Sequence, residues 1–369
     1  MVVMIVYVFI IFLLLILSFV YDFSKASKGK SGWGYIVLII LILLAGFRGD
    51  IGNDTMAYHR WYDSLSSNPI LAIRDSRFEP LFVLLCSFAR SINCSWLLVQ
   101  LFLATWINCY IFSFIKKYGR LLFLPILLYF ISVYYFLNCE EIRGAVSFGF
   151  VLISLPYIEK KKYLKFILFV LLGCGFHYSC ALFLILPFIP NMFKNKLLLS
   201  LVLIGGFWGA QILQAKFGVY ALIIDNLLGI ETVSSYVDSD YLDASGKSLK
   251  NLINIFITGV IFPLLSYSIS KQKSESIRKA FTLYLLCVIG SMALPLFYRY
   301  NHQLSIINIV VLCMAISKAL LTKRIFLKFT IALCFLIFTY VSLSVYLSYN
   351  SFLQGYFYDN FIPYSIYNF

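Results

Sequence analysis

Four short stretches of the chain hold residue types able to do chemistry. The first runs Arg48-Gly49-Asp50-Ile51-Gly52-Asn53-Asp54 and continues through Tyr58, His59, Arg60, Trp61 and Tyr62, directly after an apolar run. A charge at the end of such a run needs a partner or a ligand, and two glycines let backbone approach a ligand closely. Asp54 or Asn53 is placed to cap a helix that aligns Tyr58, Trp61 and Tyr62 on one side. Aromatic rings beside carboxylates suit the faces of sugars; with no ligand, the same segment is a capped interfacial helix with an aromatic belt. The second stretch, Asn138-Cys139-Glu140-Glu141-Ile142-Arg143, sets Glu140 and Arg143 at i, i+3 spacing. That spacing makes either a local ion pair with acids at a helix start, or an arginine that grips an anionic headgroup while a carboxylate positions it or acts as base. In the third, Gly173-Cys174-Gly175-Phe176-His177-Tyr178-Ser179, His177 sits in a turn between two short apolar runs, where a structural hydrogen-bonding role competes with proton transfer. The fourth, Tyr298-Arg299-Tyr300-Asn301-His302, is again an arginine with aromatic flanks, and its plainer reading is interfacial snorkelling. His59, His177 and His302 have no zinc-ligand spacing, so no metal site is expected, and neither a glycine-rich phosphate loop nor a nucleophile elbow occurs.

The elements that must position these residues are membrane helices. Of 369 residues 62% are hydrophobic, 18% aromatic and only 12% charged, more apolar surface than one soluble core can hide. The net charge of +14 is carried in short clusters between apolar runs, where it acts as a topology signal, so nucleic acid is not an expected partner. Nine cysteines lie mostly within apolar stretches and read as small core residues. Residues 1–20 are expected to form a first span that is retained, since no small-residue cleavage site follows them. Further apolar runs bring the expectation to about 12 crossings in one integral membrane domain covering 1–369, an all-α polytopic fold, with 78–92 as a partly embedded helix begun by Glu79-Pro80.

Assigning alternate loops to opposite sides separates the charges. One set, around 21–32, 116–120, 159–165, 194–196, 271–279 and 318–328, holds seventeen Lys and three Arg against three acids, a net of +17, and is cytoplasmic by the positive-inside rule. The other set includes 48–79 with its interfacial helix, 138–143, the large loop 214–250, 298–303 and the tail; it nets −4. The inner side uses Lys as plain charge, whereas the outer side selects Arg, whose planar fork matches phosphate or carboxylate. The active surface is therefore expected to be extracytoplasmic.

In order along the chain, Arg48 with Gly52, Asp54, Thr55 and Tyr58; Glu79-Pro80-Leu81-Phe82; Ile142-Arg143-Gly144-Ala145; Phe176-His177-Tyr178-Ser179; Arg299; and Pro363-Tyr364 resemble the Wzy-type bacterial polysaccharide polymerases of the EpsG-like branch. The resemblance implies a GT-C-like membrane glycosyltransferase architecture in the bacterial cytoplasmic membrane, acting on polyprenyl-diphosphate-linked oligosaccharide repeats at its outer face. In the implied reaction a sugar hydroxyl of one repeat attacks the anomeric carbon of the growing chain and the lipid diphosphate leaves. Because the activated bond arrives in the lipid, no cofactor, nucleotide sugar or metal is required. Arg143 and Arg299, with Arg48 as a third choice, are expected at the diphosphate; His177 leads as base, with Asp50, Asp54 and Glu141 as competitors. Tyr58 and Trp61 are expected to stack on sugar, with Glu79, Glu140 and His302 as further substrate contacts. Partners implied are the bilayer, a flippase and a chain-length regulator. An O-antigen ligase, a lipid-linked oligosaccharide flippase or transporter, and a membrane acyltransferase are the rival readings; a ladder of product lengths separates a polymerase from a ligase, and charges near the membrane midplane would favour a transporter.

Overall fold

A computed structural model describes residues 5–24, 26–49, 51–52, 54–194, 198–209, 212, 249–270, 272–292 and 296–347. Every regular element among them is helical. Among the described residues six helices are long and apolar enough to cross a membrane, and six more apolar helices have 10 to 17 residues. The chain forms two compact units, 1–187 with 339–369, and 188–338. Residues 213–248, which hold nearly all of the large loop read from the sequence, and the tail from 348 lie outside the described residues.

The first unit begins with α1 (Ile5–Leu17), which widens into a π-helical turn at Ser18–Phe23. After α2 (Lys30–Gly46) come three short helices: α3 (Thr55–Ser64), α4 (Pro69–Asp75) and α5 (Pro80–Ser91). Their starts are written locally. The Asn68 side chain accepts from the Ile70 and Leu71 amides at 3.0 and 3.4 Å, and Pro69 and Pro80 occupy first-turn positions where a missing N–H costs nothing. The long α6 (Trp96–Tyr118) is followed by α7 (Phe123–Ser132), a π-helical segment at Phe136–Glu140, α8 (Ile142–Glu159), α9 (Tyr163–Cys174) and a 3₁₀ stretch at Tyr178–Phe188.

Burial ranks these helices. In α8, 72% of the apolar window is buried, against 28% for the span that includes α1, so α8 is central and α1 lies at the edge of its unit. The sequence of α8 explains its place: Gly144, Ala145, Ser147 and Gly149 in its first half permit close approach by α6 and α9. Asn108 of α6, Tyr129 of α7 and Asn138 of the π segment close a buried ring of hydrogen bonds at 2.8, 2.8 and 3.2 Å. Bonds of this kind inside a bilayer contribute about 0.6 kcal/mol each on average; here they fix the wide turn from which α8 starts.

The π turn after α1 has a separate task. Leu122 offers α7 no side-chain cap, so the first amides of that helix need an acceptor from elsewhere. Asp22, its side chain fully buried, accepts from the amides of Leu122, Phe123 and Leu124 at 2.7 to 2.9 Å and from Lys30 Nζ at 2.8 Å. One carboxylate thus ties α1, α2 and α7 together.

The second unit contains a 3₁₀ turn at Met192–Lys194, α10 (Leu198–Gly209), α11 (Leu249–Phe256), which runs through a π turn into α12 (Phe262–Ser270), then α13 (Glu275–Ser291), α14 (Leu296–Leu321) and most of α15 (Ile325–Leu347). Phe193, Tyr267 and Phe281 stack at 4.0 and 4.9 Å where α12 and α13 meet. In α13 the Ser274 cap accepts from the Ile277 amide at 3.3 Å, and buried Asn308 of α14 donates to the Tyr284 hydroxyl at 3.3 Å.

Asp22→Ala removes a three-amide cap and strands Lys30; it is expected to cost about 1–2 kcal/mol, read as a melting temperature several degrees lower in detergent, with Asp22→Asn intermediate. An unchanged melting temperature for Asp22→Ala would show that the cap is dispensable.

Candidate functional site

The site is assembled by backbone before side chains meet. At the end of α9 the amides of Phe176 and His177 both donate to the Gly173 carbonyl, at 2.9 and 3.0 Å, which turns the chain sharply. The Gly175 carbonyl then accepts from the first amides of α5, Leu81 at 2.8 Å and Phe82 at 3.3 Å. A Cβ on Gly175 would stand 2.4 Å from Leu81 Cδ1, so this contact of turn and helix end demands glycine. The result is that Glu79, the residue before α5, lies against the turn that carries His177.

Glu79 is the hub. Its Oε2 accepts from Arg143 Nη1 at the start of α8, while its Oε1 accepts from the Tyr178 amide at 3.3 Å. His177 Nδ1 comes to 3.0 Å from the same Oε1 without the alignment of a hydrogen bond. Burial opposes ionisation of Glu79, but the neighbouring His177 and Arg143 outweigh it and hold the carboxyl down at about 2. Only 5% of the Glu79 side chain is exposed, against 17% of Arg143 and 22% of His177. The carboxylate is thus the inner member, and the two groups it holds reach the surface.

Arg143 is fixed on its other side by α3. Its Nε donates to the Tyr58 hydroxyl at 3.0 Å, and its guanidinium carbon lies 4.2 Å from the centre of the Phe78 ring, with Tyr58 and Phe82 at 5.8 and 5.9 Å. Such an aromatic setting stabilises a cation without neutralising it. Behind it, Trp61 packs edge-on to Phe78 at 4.7 Å and parallel to Phe82 at 5.4 Å, and Tyr58 stacks on Trp96 at 6.2 Å.

Among the sequence candidates, Arg143, His177, Glu79, Tyr58 and Trp61 come together. The expected local pair of Glu140 with Arg143 gives way to a pairing with Glu79, 64 positions earlier. Glu140 ends the π segment and lies outside α8, so helical i, i+3 geometry does not hold across the two. Glu140 and Glu141 are half-buried in that turn. Tyr58 is 6% exposed and its ring is enclosed, so it holds Arg143 in place of the sugar face expected of it, while Trp61 is half-buried. Asp54 stands at the start of α3, exposed, and caps none of its amides with its side chain.

Arg48 is not at a surface. It is 1% exposed, donates from Nη1 to the Ala45 carbonyl at 2.5 Å, and its Nε and Nη2 are buried without a partner. Gln100 holds the adjoining backbone by donating to the Gly46 and Arg48 carbonyls, both at 2.9 Å. Gly52, at φ +86° and against Cys139, completes the close approach of this loop to the π turn. Asp50 and Asn53 lie outside the described residues. Arg299 and His302 belong to the second unit, Arg299 exposed on α14 and His302 buried with its ring 4.4 Å from Tyr298. Sequence reasoning did not single out Phe78, and it named Phe82 and Gly175 only within their motifs, with no role for either. The signals available were the glycine pair before His177 and the aromatic residues that flank Glu79-Pro80.

A polytopic helical membrane protein with an arginine and a histidine clamped on one buried carboxylate is the class that fold and site define. The model of the EpsG family matches residues 32–366, and the chain belongs to that family, whose members are Wzy-type polysaccharide polymerases. No curated protein and no solved structure matches the chain.

Because Glu79 is depressed from 4.5 to about 2, the stability it contributes is complete above about 4.5 and is lost as pH falls through about 2. Melting followed across that window is expected to show an acid-sensitive component in the wild type that is missing in Glu79→Gln. Equal slopes for the two proteins would remove Glu79 as the source.

Proposed function

We propose that the chain polymerises polyprenyl-diphosphate-linked oligosaccharide repeats at the extracytoplasmic face of the cytoplasmic membrane, within a GT-C-like architecture of about 12 crossings. The hydroxyl of the terminal sugar on one lipid-linked repeat attacks the anomeric carbon of the growing chain, the bond from that carbon to the diphosphate oxygen breaks, and the lipid diphosphate departs. The transition state gathers negative charge on the leaving diphosphate and needs a proton acceptor at the attacking hydroxyl. Family membership supports the polymerase role. The Lys-rich and Arg-rich loop sets support the side of the membrane.

The observation that carries the reading is the division of labour around Glu79. Arg143 commits Nε to Tyr58 and Nη1 to Glu79, which aims the guanidinium and keeps Nη2 for a phosphate oxygen. His177 directs Nδ1 toward Glu79, which leaves the Nε2 lone pair to take the hydroxyl proton. Arg299, with its aromatic flanks at a span end, keeps the role of a diphosphate-binding arginine on its sequence pattern alone. Trp61, half-buried, is the ring retained for sugar stacking.

Purified protein in lipid nanodiscs, given synthetic lipid-linked repeats, is expected to produce a ladder of lengths with release of lipid diphosphate. Arg143→Ala and His177→Ala are each expected to lower the rate by about 10²-fold or more while membrane insertion is unchanged. A wild-type protein that adds a single unit and stops, or an Arg143→Ala variant that makes full-length polymer, would overturn the reading.

A further inference from the structure

Arg143 has a limitation as a diphosphate group: it is already paired. Arg143 and Glu79 together carry no net charge, and His177 faces the same carboxylate. A diphosphate with several negative charges is held well only where cations outnumber anions. Its counter-charge must include a cation that no carboxylate has claimed.

Arg77 meets that requirement. Its guanidinium carbon lies 5.2 Å from the centre of the Phe78 ring, the same ring that Arg143 approaches at 4.2 Å. The two guanidinium carbons are therefore separated by no more than the sum of those distances, a span that two linked phosphates can bridge with one charge-assisted hydrogen bond to each. Arg77 is exposed, and among the described residues no carboxylate pairs with it. The nearest acid in sequence on its N-terminal side, Asp75, is taken by Arg74 at 2.7 Å, and Glu79 on the other side is committed to Arg143 and Tyr178. The backbone between them is set, because the Phe78 amide donates to the Ser76 hydroxyl at 3.1 Å and Pro80 starts α5 directly after Glu79.

We propose that Arg77 is a second diphosphate-binding residue, placed against the Phe78 ring that Arg143 also approaches, and that it supplies the net positive charge that the neutralised Arg143–Glu79 pair lacks. This rests on the polymerase reading above. The shared ring gives the pair a specificity: a diphosphate engages both arginines, whereas a monophosphate reaches one.

The test uses the whole protein in nanodiscs, with geranylgeranyl diphosphate and geranylgeranyl monophosphate as probes. Wild type is expected to bind the diphosphate more tightly. Arg77→Ala is expected to lose about tenfold in diphosphate affinity with little change toward the monophosphate, and Arg77→Lys to recover most of the loss at low salt. In the extension assay the same variant is expected to raise KM more than it lowers kcat. If Arg77→Ala binds both probes as wild type does, or loses both equally through loosening of Phe78, the role of Arg77 is overturned while the polymerase reading stands. If wild type shows no diphosphate binding that depends on Arg143, that reading fails and takes this one with it.

Discussion

A cation at the end of a membrane helix has to be matched, and in this protein Glu79 matches it. Arg143 stands at the first turn of the most buried span-length helix of its unit, where water is scarce and an isolated guanidinium would be costly. Glu79 comes from another helix and brings a third element with it, because its second oxygen faces the His177 turn. One carboxylate therefore fixes the start of α5, the start of α8 and the end of α9 against each other. The fit is enforced from both sides: by Gly175, whose carbonyl seats α5, and by Tyr58, whose hydroxyl holds the far side of the guanidinium.

That geometry depends on a layer deeper in the bundle. The Asn108–Tyr129–Asn138 ring holds the π turn at Phe136–Glu140, and α8 begins two residues later, so Arg143 inherits its position from a closed polar network packed among apolar side chains. A wide turn of this kind is stable only if its displaced backbone groups and polar side chains find partners. The Asp22 cap does comparable work for α7, which carries Tyr129. Polar groups thus set the frame, and the apolar helices around them fill it.

The class of fold was legible because it depends on composition, which is a sum over the chain, and on apolar runs of span length. Arg143 and His177 were also legible, since both stand at breaks between apolar runs where a polar residue is conspicuous. What could not be read is pairing at a distance. Nothing near Arg143 in sequence indicates Glu79, and the local rule that chose Glu140 assumed a continuous helix where the chain makes a π turn, an element with no marked sequence signature. Tyr58, Trp61 and Tyr62 share a helix face by spacing, but spacing does not say whether that face meets solvent or core; here Tyr58 and Tyr62 are buried. Arg48 shows the same limit, for its buried, half-satisfied guanidinium cannot be told by sequence from one exposed at a surface.

The shared carboxylate has a consequence for the proposed chemistry. Glycosyl transfer separates charge: the base gains a proton as the leaving group gains negative charge. In the proposed reading the two changes fall at the two oxygens of Glu79, with His177 at Oε1 and Arg143 at Oε2. Nη2 of Arg143 meets the departing diphosphate while Nη1 stays on Oε2, so the guanidinium charge is shared with the phosphate and the carboxylate becomes a stronger partner for the other side. There His177, once protonated, is a cation 3.0 Å from Oε1, and the carboxylate stabilises it in the low-dielectric surroundings that made the resting pair necessary. Glu79 touches neither sugar nor phosphate in this account. It is a positioning residue whose charge is shared between the two events, so the departure of the diphosphate and the uptake of the proton favour each other through a single buried side chain.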